Sequence, residues 1–290
     1  MNWWRTDGPS AYDKLNEYMF TYGVPWDERT PEAWQETLAE GMEDWSQVLG
    51  PPDGGAVLDC SCGWGSQAVP LAKLGWRVTA TDIAESSLEI AQQRASAEPV
   101  AIEFGVCDMQ SLAQRFEPSF DWVITCYGLY EIVDDAEIQR AVDGIFSVLK
   151  PGGRCYIELR DMDDLLADKP RWQFHGEVRT PNGRIFCIVD WEYESETHVV
   201  ESYVFLVEDE QYDDYRRWRT DAVSLRKRAI GRADLERFLA QAGFDEITFL
   251  DREGPWVPYQ VIAHKPDQLL GASSRGDLSR DLDSAQGERC

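Results

Sequence analysis

Two carboxylates bracket a glycine bend in the stretch Val57 to Asp82, VLDCSCGWGSQAVPLAKLGWRVTATD. Asp59 ends a short apolar run, Gly63 and Gly65 follow, and Asp82 closes a second β-branched run. The spacing Gly63-x-Gly65-x-x-Ala68 fits the dinucleotide fingerprint, in which glycines let the backbone turn sharply toward a ligand and the next helix presents free amides. Asp82 is placed to accept hydrogen bonds from a ribose diol. Asp59 narrows the choice. It stands where a nicotinamide dinucleotide would put its pyrophosphate, and a carboxylate there is repelled by about a kcal/mol or more at partial burial. A sulfonium or an ammonium is attracted instead. Acids at both strand ends therefore point to a cationic adenosine cofactor, S-adenosylmethionine, ahead of a nicotinamide.

Elements of an alternating α/β chain must position these groups. Strands are predicted at Ala56–Asp59, Arg77–Asp82, Ile102–Cys107, Phe120–Cys126 and Arg154–Leu159. Helices fall between them at Ser66–Leu74, Ser86–Ala97 and Ala136–Leu149, with Pro151-Gly152-Gly153 as a turn. Strands separated by helices of this length imply a parallel sheet covered on both faces. The pattern then changes: Arg184–Tyr193, His198–Glu208 and Trp218–Arg228 read as antiparallel strands. Helix Arg232–Ala242, closed by Gly243, and strands Phe244–Leu250 and Trp256–His264 complete the series. Before the sheet, Thr30 and Pro31 open a helix with Trp34, Leu38, Met42 and Trp45 on one stripe. The domain expectation is a helical cap over 1–50, an α/β domain over 51–265 with an antiparallel lid at 165–230, and a disordered tail at 266–290.

VLDCSCGWG resembles the first motif of class I S-adenosylmethionine-dependent methyltransferases, in the form seen in glycine/sarcosine N-methyltransferase-like enzymes of small molecules. VTATDIAESSLEIA resembles their second motif, VCDMQSL their adenine segment, and FDWVITCYGLYEI and LKPGGRCYIELRDMDDLL the later ones. The resemblance implies a Rossmann-like seven-stranded sheet with helices on both faces. It places Asp59, Ser61, Gly63 and Gly65 around the methionine moiety, Asp82 on the ribose and Ile83 against the adenine. Asp108 would meet the adenine amino group, Met109 would pack on the ring, and Cys126 and Tyr127 would lie beside the methyl. Asp108 also reads as a strand-end turn acid. Ser61 and Trp64 depart from the usual pattern, and Trp64 could narrow or cover the pocket.

On the acceptor side, Arg160 opens RDMDD at a strand end. The matching segment of glycine N-methyltransferase supplies an arginine for the substrate carboxylate, and a guanidinium fork suits that task. An ion pair with Asp161, Asp163 or Asp164 is the other reading of Arg160. Tyr127 and Tyr130 follow the fourth strand, where one could hydrogen-bond an acceptor amine. Tyr12, Tyr18, Tyr22 and Trp26 would form an aromatic cap. The expected reaction is methyl transfer to a small molecule, most simply at an amine nitrogen, which attacks without a strong base. O-methyl transfer and non-catalytic cofactor binding are the alternatives.

The chain has 290 residues, 43% hydrophobic, and 53 acidic against 28 basic residues, a formal charge of −25. Such an excess repels phosphate backbones and anionic lipids, which argues against nucleic-acid and membrane partners, and solubility by self-repulsion accounts for the charge itself. The seven cysteines are scattered without a zinc spacing, and those in strands read as small hydrophobes. No metal site is expected. No leader is apparent in Met1 to Tyr12, so a cytoplasmic enzyme, with self-association open, is the expectation. The basic run YRRWRTDAVSLRKRAIGR is expected to pair with acidic surface.

Overall fold

A computed structural model describes residues 31–160, 162–180, 183–194, 198–211, 215–250 and 258–267. The expected aromatic cap residues Tyr12, Tyr18, Tyr22 and Trp26, together with Asp161 and nearly all of the expected tail, lie outside the described residues. The elements run α1 (Pro31–Leu49), β1 (Ala56–Asp59), α2 (Ala68–Leu74), β2 (Arg77–Asp82), α3 (Glu85–Ala97), β3 (Ile102–Val106), α4 (Leu112–Arg115) and β4 (Phe120–Cys126). Then come α5 (Asp135–Val148), β5 (Leu149–Leu159), α6 (Asp163–Asp168), β6 (Trp172–Thr180), β7 (Gly183–Glu194), β8 (Val199–Gln211) and β9 (Arg216–Arg228). The series ends with α7 (Arg232–Ala242), β10 (Asp245–Leu250) and β11 (Tyr259–His264).

Seven strands form one sheet in the order β10-β11-β5-β4-β1-β2-β3, parallel from β5 to β3, with β11 antiparallel to β5 and to β10. All four residues of β1 are buried, as a central strand covered on both faces requires. One face packs Leu58, Val123 and Ile157 against Ile138, Ile145 and Phe238 of α5 and α7. The other packs Val57, Ile124 and Tyr156 against Trp45, Leu71 and Leu88 of α1, α2 and α3. The Rossmann-like seven-stranded arrangement is therefore as expected, and strand order reverses between β1 and β4. The carboxyl ends of those two strands define the crevice where such sheets bind ligands.

Local chemistry sets the helix ends. Asp134 caps α5 by accepting from the Ala136 and Glu137 amides at 2.9 and 3.1 Å. Gly243 closes α7 at φ +101°, a left-handed position that glycine takes without a Cβ penalty. Some boundaries differ from expectation. The helix after the glycine bend starts at Ala68, two residues late, and its N-cap Gln67 makes no side-chain bond. The Pro151–Gly153 segment is a bulge inside β5, not a separate turn. Pairing with β4 shifts there between Phe120 and Trp122, and Gly152 and Gly153 exchange backbone bonds with Lys265.

The antiparallel segment is a four-stranded sheet, β6-β7-β8-β9, paired in unbroken register along β7, β8 and β9. Its inner face buries Ile185, Cys187, Val189, Trp191 and Val204 with Met162. Strand β6 was not anticipated. Its pairing slips between Phe174 and Gly176, which blurs the alternation that marks a strand. The basic run pairs with acids as expected: Arg217 with Glu210, Arg226 with Glu194, Lys227 with Glu131, and Arg228 with Asp135 and Asp234. The last two fasten this sheet to the α/β layer. Among the described residues no helix is long and apolar enough to cross a membrane.

Candidate active site

The glycine bend after β1 is held from below by Asp82. One carboxylate oxygen of Asp82 accepts from the Gly63 amide at 2.9 Å, and the other from the Ala84 amide at 2.9 Å. A carboxylate has about four acceptor sites. The amides do not use all of them, and acceptor capacity remains for a diol above the rim. Burial raises the Asp82 pKa, and the amides of Ala84, Gly63 and Ile83 oppose it. Gly63 has φ +49° and Gly65 φ +83°, and nothing lies within 4 Å of the place a Gly63 side chain would start. The bend is thus open on its ligand side. Gly65, by contrast, backs closely onto Ala91 of α3.

Asp59 lies behind the bend at 1% exposure. Its Oδ1 accepts a 3.3 Å bond from the Ser61 amide, and its buried Oδ2 has no partner among the described residues. Burial, with the neighbouring Asp82 charge, lifts its pKa to about 8 despite the Ser61 amide. A cation placed against it would reverse that shift. Ser61 bonds Thr125 of β4 at 2.8 Å, which ties the two rim loops together. Gly128 completes the tie: a Cβ there would fall 2.5 Å from Ser61 Cβ and 2.9 Å from Met109 Cε.

The residues expected to meet the adenine lie just past the ends of β2 and β3. Ile83 is 40% exposed at the end of β2. Met109 is buried beneath the Gly128 loop. Asp108 is exposed and accepts from the Gln110 amide at 2.9 Å, capping the short 3-10 turn Met109–Ser111. It therefore fills the turn role as well as being available to a ligand. Trp64 turns toward Arg94, whose guanidinium lies 5.5 Å from its ring and 4.3 Å from that of Trp34. That stacking places Trp64 beside Arg94 of α3.

Beyond β4, Tyr127 adopts φ +62°, an uncommon left-handed conformation for a non-glycine residue and a form of strain found at functional sites. Its ring meets that of Tyr130 edge-on at 6.3 Å. Burial and the nearby Glu158 charge hold the Tyr127 phenol well above its ordinary pKa, so it remains a donor. Tyr130 is buried, with Lys227 5.0 Å from its ring and Arg160 close enough to act on it electrostatically. Arg160 itself is exposed. Cys126 is partly buried, and its thiol is pushed well up by burial, then by Glu158 and Asp59. The structure thus brings Asp59, Ser61, Cys126, Tyr127, Tyr130 and Arg160 to one end of the sheet.

Four participants escaped the sequence reading: Thr125, Gly128, Glu158 and Gln260. Only the small glycine after Tyr127 carried a local signal. The others are recognisable through cross-strand partners 64 to 102 residues away.

Residues 57–153 match the profile of the family described as "Methyltransferase domain". That segment holds β1 through the start of β5, including the glycine bend and the rim loops. A ubiquinone biosynthesis O-methyltransferase of Methylocella silvestris is 31% identical over 153 residues, covering 52% of this chain and 56% of that protein. The chain spans between half and two thirds of the length of the first curated relatives it matches. By structure, the chain is similar to the S-adenosylmethionine-bound amino pentose methyltransferase CalS10 of Micromonospora echinaspora. The TM-score is 0.62 at 18% identity, over 80% of this chain and 91% of that one. The sugar N-methyltransferase KedS8 of Streptoalloteichus gives a TM-score of 0.65 at 16% identity, over 90% and 95%. The fold is accordingly the one seen in those solved methyltransferases, and residues 57–153 are the segment that matches the methyltransferase-domain family.

Proposed function

We propose that the protein transfers the methyl group of S-adenosylmethionine to a small-molecule acceptor, at an amine nitrogen. The observation that carries this reading is the anchored Asp82 carboxylate beside the open Gly63 bend, with the unpartnered Asp59 oxygen beneath. These residues fit the cofactor: Asp82 the ribose hydroxyls, Ile83 and Met109 the adenine edges, and Asp59, Ser61, Gly63 and Gly65 the methionine end. Asp108, whose two oxygens accept from the Gln110 amide and side chain, is exposed and keeps acceptor capacity for the adenine amino group. When bound, the cofactor supplies a methyl activated by positive sulfur, and the protein contributes position and charge. No metal is required.

Around the acceptor, Tyr127 and Tyr130 exclude water and offer ring edges, while Arg160 would take a carboxylate on the amine. Incubation with S-adenosylmethionine and a panel of amines should release S-adenosylhomocysteine, detected by chromatography. Absence of release with every amine but turnover with phenols would move the acceptor atom to oxygen. That second reading has one observation behind it, the O-methyltransferase names of relatives about 30% identical. Arg160→Ala should raise the acceptor KM about tenfold or more and leave S-adenosylhomocysteine affinity unchanged. An unchanged KM would return Arg160 to a surface role. A cytoplasmic setting and self-association belong to the same proposal.

A further inference from the structure

Glu158 sits near the end of β5, opposite Cys126 in the register with β4 and opposite Gln260 in the register with β11. Three neutral donors converge on its carboxylate. The Tyr156 hydroxyl donates at 2.9 Å, the Gln260 amide donates at 2.6 Å to the same oxygen, and the Tyr127 phenol donates as well. Tyr156 and Gln260 are each 3% exposed, whereas Glu158 is open on one side. The Tyr127 amide also bonds the Glu158 carbonyl at 2.9 Å, fixing the rim loop against this residue.

No lysine or arginine pairs with Glu158 among the described residues, although arginines are paired throughout the neighbouring sheet. A carboxylate aligned by neutral donors keeps its charge available. It lies on the same face as Asp59: alternation puts Ile124, Cys126, Tyr156 and Glu158 on the side of α1, and Asp59 pairs with Ile124. The Cys126 thiol between them feels both charges. Asp59, with its unpartnered buried oxygen, is an independent sign that this face awaits a cation.

We propose that Glu158 is the acceptor-binding carboxylate, receiving the cationic nitrogen of an amine beside Tyr127. This rests on the methyltransferase reading and deepens it by naming the charge of the substrate. In the transfer, the amine lone pair forms the nitrogen–carbon bond as the carbon–sulfur pair goes to sulfur. The positive charge leaves sulfur and appears on nitrogen, where Glu158 stabilises it. The proton lost beforehand by the docked ammonium passes to water. A fixed carboxylate at the point of charge development acts most strongly where water is excluded.

The test uses the full chain loaded with S-adenosylhomocysteine, titrated by calorimetry with isopropylamine and its neutral isostere isopropanol. The wild type should bind isopropylamine at least about tenfold more tightly than isopropanol. Glu158→Gln should erase that preference while S-adenosylhomocysteine affinity stays within about twofold, and Glu158→Asp should restore part of it. A preference that survives Glu158→Gln, or is absent from the wild type, overturns the proposal. So does loss of S-adenosylhomocysteine binding in both variants, which would make Glu158 structural. If the wild type itself fails to bind S-adenosylhomocysteine, the methyltransferase reading falls, and the same amine titration on the unloaded chain then decides Glu158 alone.

Discussion

At the carboxyl rim of the seven-stranded sheet, acids are held by neutral donors. Asp82 is held by two amides, Asp59 by one, and Glu158 by two phenols and an amide. In the four-stranded sheet, acids meet guanidinium groups. Asp190 lies 2.6 Å from Arg171, Asp209 lies 3.2 Å from Arg184, and Glu210 pairs with Arg217. The opposite end of the larger sheet follows the second rule, with Asp121 bonded to Lys150 at 2.8 Å. The difference separates two uses of negative charge in a chain rich in it. Neutralised acids tie neighbouring strands together, and acids oriented without a cation are left for a cationic ligand.

The comparison breaks most visibly at Asp82. Asp82→Ala should weaken S-adenosylhomocysteine binding by at least about a hundredfold in calorimetry, because two charge-assisted amide bonds and the diol contact go together. The melting temperature should move by only a few degrees. Lys227→Ala should do the reverse. It leaves part-buried Glu131 unpaired, so chemical denaturation should show a loss of about 2 kcal/mol with cofactor affinity unchanged. If the two variants exchanged phenotypes, the division between ligand-facing and structural acids would be wrong.

Asp59 gives a subtler, pH-dependent effect. Its pKa is about 8 in the folded chain against an ordinary 3.8, so between those values the native state holds a proton that the unfolded chain has lost. Its contribution to stability is complete below pH about 3.8 and declines as pH rises through about 8. A cation beside it favours ionisation, so cofactor binding at pH 6.5 should release up to about one proton. Calorimetry in buffers of different ionisation enthalpy measures this, and Asp59→Asn should abolish it. The smallest effect belongs to Arg217→Ala on the exposed sheet, which should change stability by less than about 0.5 kcal/mol in the same denaturation assay.

Much of the frame was legible because it is local. β1 and β2 follow from apolar or β-branched runs ending at acids, β4 from the apolar run FDWVITC, and Gly243 announces the end of α7 through its left-handed cap. The bulge in β5 was not legible, because Pro151-Gly152-Gly153 has turn chemistry and only pairing with Lys265 draws it into the strand. β6 acquires its pairing from β7 despite a register slip. At the rim, Asp59 and Asp82 stand out by their spacing around the glycines. Glu158 looks like an ordinary solvent-side residue of RCYIEL until Gln260, 102 residues later, is brought beside it.

The most direct test of the cationic-cofactor claim is a competition titration of the wild type with S-adenosylhomocysteine and NAD. The account predicts saturable binding of S-adenosylhomocysteine, weakened by Asp82→Ala and undisturbed by millimolar NAD. Tight NAD binding that excludes S-adenosylhomocysteine would contradict it.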